Sequence, residues 1–318
     1  MSGPFRPAWW LRNTHLQTLF PTFFRTLPRV SLRRERIELP DGDFLDLDWT
    51  EGARGPIVLV LHGLEGSSRS KYALGLMKAV HARGWRGVVM HFRGCSGEQN
   101  RLPRSYHSGE TGDPDFIIRL LRQRYPESPL AVIGYSLGGN VLLKWLAEQG
   151  EAAPIDAAVA VSVPYRLADS ANRLLHGFSR VYQWRLVKNL CDSFRRKRAR
   201  VPMPIDPALE RIRSFWDFDT AVTAPLHGFR DADHYYSTVS SRQYLRHIRK
   251  PVLLLHARDD SFMFPRTAPE PTELSPTIQL ELSEHGGHVG FIGGLWPWKP
   301  HYWLEERIPE YLATRLAT

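Results

Sequence analysis

The N-terminal half of the chain alternates short apolar runs with longer amphipathic stretches. The apolar runs cover residues 56–61, 87–92, 130–134 and 157–163, and the amphipathic stretches cover residues 71–83, 115–124 and 137–149. A short run that is wholly apolar and rich in β-branched residues predicts a strand buried on both faces, whereas apolar residues at every third or fourth position predict a helix. The alternation therefore predicts an α/β fold with a mostly parallel central sheet and helices on both faces.

The strand pattern lapses over a long central segment, residues 165–249. This segment has amphipathic helical stretches and the aromatic residues Trp184, Phe215, Trp216 and Phe218. After it come two further predicted strands, at 251–255 and 278–282, and a closing helix at 302–316. The interruption predicts a helical cap inserted into the sheet domain. Its aromatic residues either form the core of the cap or line an apolar substrate pocket.

The chain begins with an aromatic and basic segment that shows no strand alternation. Because it is divided into short pieces by Pro4, Pro7, Pro21 and Pro28, we predict an arm packed on the core rather than a regular element. A strand pair with a turn at Asp41-Gly42 follows. The predicted organisation is an arm at 1–35, a core at 36–164 and 250–318, and a cap or lid at 165–249.

A serine flanked by glycines stands between a predicted strand and a predicted helix. In Gly134-Tyr135-Ser136-Leu137-Gly138 the glycines lack the Cβ atoms that would clash in a tight strand-to-helix turn, so the hydroxyl of Ser136 can project from the sheet edge. This context predicts a nucleophilic serine. Ser96 also lies among glycines, but it lacks the second glycine at this spacing and the following helix.

A serine hydroxyl needs an imidazole to remove its proton and a carboxylate to orient that imidazole. In hydrolases with this turn, the acid and then the histidine follow the serine along the chain. Asp260 is preferred as the acid over Asp259 because it lies three residues after the small Ala257. His288 is preferred as the base over His285, because the glycines before it let the loop approach the serine.

The chemistry also requires two backbone N–H groups that stabilise a developing oxyanion. One is expected from Leu137, directly after the nucleophile. The other is expected from Leu64 in the loop His62-Gly63-Leu64-Glu65-Gly66, which follows a predicted central strand. Taken alone, the His62–Gly66 sequence would indicate only a simple turn. Together with the predicted nucleophilic serine, it indicates a loop that contributes to an oxyanion hole.

Several segments together resemble one known family over nearly the whole chain. They are Asn13–Leu19, His62–Ser67, Phe92–Glu98, Tyr106–Thr111, Gly134–Gly139 and His285–His288. They resemble the YheT-like branch of the α/β hydrolases, which is related to mammalian acylglycerol lipases. The resemblance implies carboxylesterase or acylglycerol-lipase activity with Ser136, Asp260 and His288 as the triad. Ser261 stands where the resemblance leads us to expect proline, which leaves Asp259 open as the acid.

Composition narrows the other possibilities. A net charge of +9 favours anionic partners, but the densest basic run, residues 195–200, is predicted to be a solvated loop, and no motif for nucleic acid accompanies it. No metal-ligand spacing is present, and the serine mechanism needs no cofactor. The two cysteines, the absence of a leader pattern and the absence of a long apolar run predict a cytoplasmic protein.

The expected partner is a small-molecule ester, with an apolar acyl chain if the cap aromatics line its pocket. The basic aromatic arm adds the expectation of peripheral contact with a membrane. Two other functions remain open. The same triad serves thioesters or amides, because the serine turn does not encode the leaving group, and the fold also suits a lipid-binding or ligand-binding protein without catalysis.

Overall fold

The computed structural model describes residues 3–316 and contains an eight-stranded sheet. The spatial order of the strands is β1-β2-β4-β3-β5-β6-β7-β8. Their bounds are β1 Leu32–Glu38, β2 Phe44–Thr50, β3 Ile57–Leu61, β4 Arg86–Met90, β5 Leu130–Tyr135, β6 Ala157–Val161, β7 Val252–Ala257 and β8 Ile278–Ser283. Strands β3 to β8 pair in parallel, and β1 and β2 add an antiparallel edge.

Helices pack on both faces of this sheet, and others lie in the segment between β6 and β7. Their bounds are α1 Thr14–Phe23, α2 Lys71–His81, α3 Gly112–Arg124, α4 Leu137–Gln149, α5 Leu167–Arg173, α6 Ser179–Arg198, α7 Phe215–Phe218, α8 Ala224–Leu226, α9 Ala232–Val239 and α10 Trp303–Ala313. Alternate residues of β3 point to opposite faces. Ile57 and Leu59 pack in one buried cluster with α3 and α4, and Val58 and Val60 pack in another with α2 and α10. The predicted α/β class is confirmed.

Parallel pairing brings the carboxyl ends of the strands to one edge of the sheet. Leu61 at the end of β3 pairs with Gly134 near the end of β5, so the loop after β3 lies beside the turn after β5. The loops after β7 and β8 leave the same edge, because these two strands pair in parallel with each other. In open α/β sheets this edge is where ligands bind.

The segment between β6 and β7 contains helices α5 to α9 and no strand. The prediction of a solvated loop at residues 195–200 is wrong, because α6 continues through Arg198. Arg195 pairs with Asp192 one turn earlier in the helix, and Lys197 is buried with its ammonium group donating to the carbonyl of Arg104. The helix is amphipathic at this end, where Phe194 is buried. Of the basic residues in this run, only Arg200 lies beyond the helix.

Two elements near the ends of the chain were not predicted. The first is α1, which Asn13 caps by accepting hydrogen bonds from the backbone N–H groups of His15 and Leu16, and which tolerates Pro21 in its last turn. The second is a hairpin of β9, Ile292–Trp296, and β10, Lys299–Tyr302, in a sequence rich in glycine and proline. The two elements meet at the buried Gln17, whose amide pairs with both backbone groups of Ile292.

None of the helices between residues 3 and 316 is both long enough and apolar enough to cross a membrane.

Candidate active site

Ser136 occupies the turn between β5 and α4 in a strained backbone conformation. Its φ of 51° and ψ of −117° lie outside the regions that residues with side chains normally adopt. A Cβ atom at Gly134 would lie 2.5 Å from the carbonyl oxygen of Gly138, and one at Gly138 would lie 2.4 Å from that of Leu61. Both positions therefore require glycine, and the tight turn directs the serine side chain away from the sheet.

Substituting Gly138→Ala tests this steric requirement. The added methyl group would collide with the rigid carbonyl groups of Leu61 and His62, at 2.4 and 2.6 Å, so strand or helix must shift. We expect the free energy of unfolding in urea to fall by about 3 kcal/mol. The control is Gly3→Ala, where the added atom would meet nothing within 4 Å. An unchanged unfolding midpoint for Gly138→Ala would show that the turn is looser than described.

The side chains of Ser136, His288 and Asp260 form one chain of hydrogen bonds. The Nε2 atom of His288 lies 3.0 Å from Oγ of Ser136, and its Nδ1 atom lies 2.8 and 3.1 Å from the carboxylate oxygens of Asp260. Asp260 is 3% exposed and also accepts the backbone N–H of Phe262 at 2.8 Å. The ring of Phe262 stacks on the imidazole at 4.0 Å. The imidazole is thus held in a fixed orientation with one nitrogen free to accept a proton.

Helix α1 fixes the loop that carries this histidine. The backbone N–H of His288 donates to Oγ1 of Thr18 at 2.9 Å, and that of Val289 donates to Oγ of Ser162 at 3.0 Å. A Cβ atom at Gly287 would lie 2.7 Å from Thr18, so glycine is needed where helix and loop touch. Sequence reasoning missed Thr18 and Phe262 as supports for the histidine. The only signal for Thr18 was its place in the Asn13–Leu19 segment that carried the family resemblance.

The alternative candidates form a second pair beside the first. Asp259 accepts the backbone N–H of Gly287 at 3.0 Å and lies 3.2 Å from Nδ1 of His285, whose side chain is half exposed. Burial raises the pKa of Asp259. Asp259 therefore stabilises the loop at Gly287. Of the two acid and histidine pairs, the pair of Asp260 and His288 is the one that contacts Ser136.

The loop after β3 runs directly beside the serine. A Cβ atom at Gly63 would lie 3.3 Å from Cβ of Ser136. Among the residues that the structure describes, the backbone N–H groups of Leu64 and Leu137 donate to no protein acceptor. Free donors on two loops that flank the serine are what stabilisation of an oxyanion requires.

Two partly buried tyrosines and the buried His62 hold this loop in place. The hydroxyl of Tyr72 accepts the backbone N–H of Gly63 at 2.9 Å, and that of Tyr106 accepts the backbone N–H of Glu65 at 2.8 Å. His62 lies 2.7 Å from the carbonyl oxygen of Gly63 through Nδ1 and accepts the backbone N–H of Phe92 through Nε2. Burial lowers the pKa of His62 to about 3. The ring is therefore neutral, and its role is to position the loop through these two contacts.

A cavity of about 620 Å³ opens above the serine and histidine. Its walls come from α1, the loop after β3 and the helices between β6 and β7. The apolar part of the lining includes Leu19, Leu64, Leu167, Leu174, Leu186, Leu190, Phe194, Phe215, Phe218 and Val222. Of the aromatic residues noted in the sequence, Phe215 and Phe218 line the cavity. Trp184 is exposed, and Trp216 donates its indole N–H to Asn172.

Polar and charged side chains also line the cavity, and Asp219 and Lys197 are among them. Burial raises the pKa of Asp219 to about 6 and lowers the pKa of Lys197 to about 8. Asp219 accepts hydrogen bonds from Thr223 and Tyr236, both at 2.6 Å. Ser96 is not part of the lining, and its backbone carbonyl accepts from Arg34 at the sheet edge. Within residues 3–316 no group of three or more His, Cys, Asp or Glu side chains could hold a metal ion.

Comparisons with known proteins agree with this architecture. The sequence model of the α/β-hydrolase fold matches residues 56–295. YheT of Escherichia coli (strain K12) is 47% identical over 99% of this chain and 94% of its own length. Phospholipase ABHD3 of Mus musculus is 32% identical over 92% of this chain and 74% of its own length. The esterase Pf2001 of Pyrococcus furiosus shares the fold, with a TM-score of 0.60 at 18% identity over 91% of this chain and 92% of that structure.

Proposed function

This chain belongs to the YheT-like branch of the α/β-hydrolase family and is an enzyme of the esterase and lipase type, and from that premise we propose that it cleaves carboxylic esters through an acyl-enzyme on Ser136. The observation that carries the proposal is the hydrogen-bonded series Ser136, His288 and Asp260 at the floor of a largely apolar cavity. The substrate class is a short- to medium-chain or acylglycerol-type ester, whose acyl chain the apolar lining would bury.

The geometry supports a two-step mechanism. Oγ of Ser136 bonds to the ester carbonyl carbon while Nε2 of His288 takes the hydroxyl proton, and the oxyanion faces the N–H groups of Leu64 and Leu137. The carbon–oxygen bond to the alcohol then breaks, and His288 returns the proton to the leaving alcohol. A water molecule attacks the acyl-enzyme and gives its proton to His288. The acid is released, and the proton passes back to Ser136.

Labelling with a fluorophosphonate tests whether the serine is activated. Covalent reaction requires a serine whose proton a neighbouring base removes during attack, and a protein that only binds its ligand has no need of such a base. We expect labelling of the parent chain at Ser136 and none in Ser136→Ala. A parent chain that is folded but not labelled would favour a binding protein without catalysis. Matched ester, thioester and amide substrates then decide the leaving group, and we expect the ester to be cleaved fastest.

The apolar lining predicts a dependence on acyl length. Because each buried methylene contributes about 0.8 kcal/mol, kcat/KM for p-nitrophenyl esters should rise by up to about fourfold per methylene from acetyl until the cavity is filled. Leu186→Trp, which narrows the cavity, should move the optimum to shorter chains. Asn189→Trp, on the exposed side of the same helix, is the matched control. A rate that falls steadily from acetyl upward would contradict an acyl-binding role for this cavity.

We also propose a cytoplasmic location. Cys95 and Cys191 are both unpaired, which is what a reducing compartment favours.

A further inference from the structure

The exposed hydrophobic side chains of this protein are concentrated rather than scattered. Among the described residues, the twelve large hydrophobic side chains that are exposed belong to three segments. They are Trp9, Leu16, Phe23, Phe24 and Leu27 near the N-terminus, Leu175, Phe178, Val181 and Trp184 at the start of α6, and Leu295, Trp296 and Trp298 on the β9–β10 hairpin. Single exposed apolar residues need no explanation, but a concentration of this kind marks an interaction surface.

The N-terminal segment contacts each of the other two, and together the three form a surface that we call the aromatic face. The indole N–H of Trp9 donates to the carbonyl of Leu295 at 3.0 Å, which joins the N-terminal segment to the hairpin. The ring of His15 lies 4.8 Å from that of Phe178, and its Nδ1 atom lies 3.1 Å from the hydroxyl of Tyr182, which joins α1 to α6. The aromatic face is therefore continuous from the hairpin across α1 to α6.

The aromatic face surrounds helices that also form the catalytic cavity. At the start of α6 the exposed N-cap residue Phe178 is followed by the exposed Val181 and Trp184 at every third position, as on one stripe of a helix. Tyr182 and Leu186 on the other side of this helix line the cavity. Helix α1 is divided in the same way, with Leu16 and Phe23 exposed and residues 18, 19, 21 and 22 lining the cavity.

The charge of these segments is one-sided. Residues 1–34 contain six arginines and no acidic residue, residues 173–191 contain three arginines and one lysine and no acidic residue, and residues 286–304 contain one lysine and no acidic residue. Together the three segments contain eleven basic residues and no acidic one, which is more than the excess of nine basic residues in the whole chain. A second copy of the chain docked on this surface about a twofold axis would set like charges against each other.

We propose that the aromatic face docks on the surface of an anionic lipid bilayer, with the indoles of Trp296 and Trp298 at the level of the lipid headgroups. Tryptophan favours this interfacial layer, and arginine and lysine side chains beside it attract anionic headgroups. The inference deepens the proposed function, on which it rests, because docking would bring the cavity between α1 and α6 against the lipid that supplies an acyl substrate. Docking itself needs no catalysis.

Vesicle flotation tests the proposal with the full chain. We expect at least about tenfold tighter binding to vesicles with about 30% phosphatidylglycerol than to vesicles of phosphatidylcholine alone, and weaker binding as salt rises. Trp296→Ser with Trp298→Ser removes the stacked indoles and should weaken binding by about tenfold. The triple variant Arg12→Gln, Arg29→Gln and Arg180→Gln should also bind about tenfold more weakly, because it removes three positive charges that attract anionic headgroups.

The controls separate docking from folding and from catalysis. The triple variant Arg54→Gln, Arg200→Gln and Arg211→Gln removes the same charge from exposed positions elsewhere and should bind like the parent chain. All surface variants should retain turnover of a water-soluble ester, whereas Ser136→Ala should lose turnover and still bind vesicles. Docking is refuted if the parent chain does not bind anionic vesicles, if both triple variants bind alike, or if the parent is a dimer that the tryptophan variant dissociates while vesicle binding is absent.

Discussion

Ser136→Ala is expected to lower kcat for p-nitrophenyl esters by about 10⁵-fold or more, because the substitution removes the atom that forms the acyl-enzyme in the proposed mechanism. Nothing else in the site replaces it. His288 keeps its bond to Asp260, but it has no hydroxyl proton to accept. What remains is the background rate that the oxyanion donors and the cavity supply to attack by water. Steady-state kinetics on purified protein measure the loss.

The matched control for this experiment is Ser96→Ala. Ser96 lies among glycines as Ser136 does, but it takes no part in the cavity. This variant should keep the activity of the parent chain, and both variants should unfold at nearly the parent temperature. If Ser136→Ala keeps its activity while Ser96→Ala loses it, the nucleophile has been misassigned.

We expect Asp260→Asn to lower kcat by about 10⁴-fold and to change KM little. The asparagine amide would donate to Nδ1 of His288, which forces the proton of the neutral ring onto Nε2. That nitrogen faces Oγ of Ser136 at 3.0 Å and would no longer accept its proton. Because the substitution affects the chemical step, the measurement is kcat of the variant relative to kcat of the parent chain.

Asp259→Asn is the neighbouring control with a different expectation. Its carboxylate accepts the backbone N–H of Gly287, and an amide oxygen can accept the same bond. We expect kcat within about tenfold of the parent value and a small loss of stability, of about 1 kcal/mol, from the weakened loop contact. The opposite ranking of the two variants would assign the orienting role to Asp259.

The features predicted from sequence are those that the local backbone dictates. The buried strands and the Gly134-Tyr135-Ser136-Leu137-Gly138 turn were recognisable because each needs particular residues at particular spacings. The confirmed fold and family follow from these short-range requirements. The sequence supports the choice between the two acid and histidine pairs less strongly. The backbone conformation of a loop decides which of two neighbouring side chains points toward the serine, and residue spacing does not encode that conformation.

The features that sequence reasoning missed depend on contacts between distant segments. Pro21 and the other prolines of this segment favour an irregular arm, because proline removes a backbone donor from a helix. Helix α1 nevertheless forms, and the buried Gln17 anchors it by donating to the carbonyl groups of Leu11 and Ile292. The β9–β10 hairpin lacks the alternation of a strand pair. The basic run at the end of α6 resembles a loop in sequence because Pro202 and Pro204 follow it, whereas contacts with Asp192 and with the carbonyl of Arg104 support a helix.

The bond from His288 to Thr18 joins residues 270 positions apart, and Gln17 reaches Ile292 across 275 positions. Contacts between such distant segments form late when a chain folds, because closing a long loop is entropically costly. During synthesis the turn at Ser136 can therefore form while the loop that carries His288 still lacks its support from α1. We expect the proposed triad to be assembled only after the segment of Gln17 and Thr18 has met the segment of His288 and Ile292.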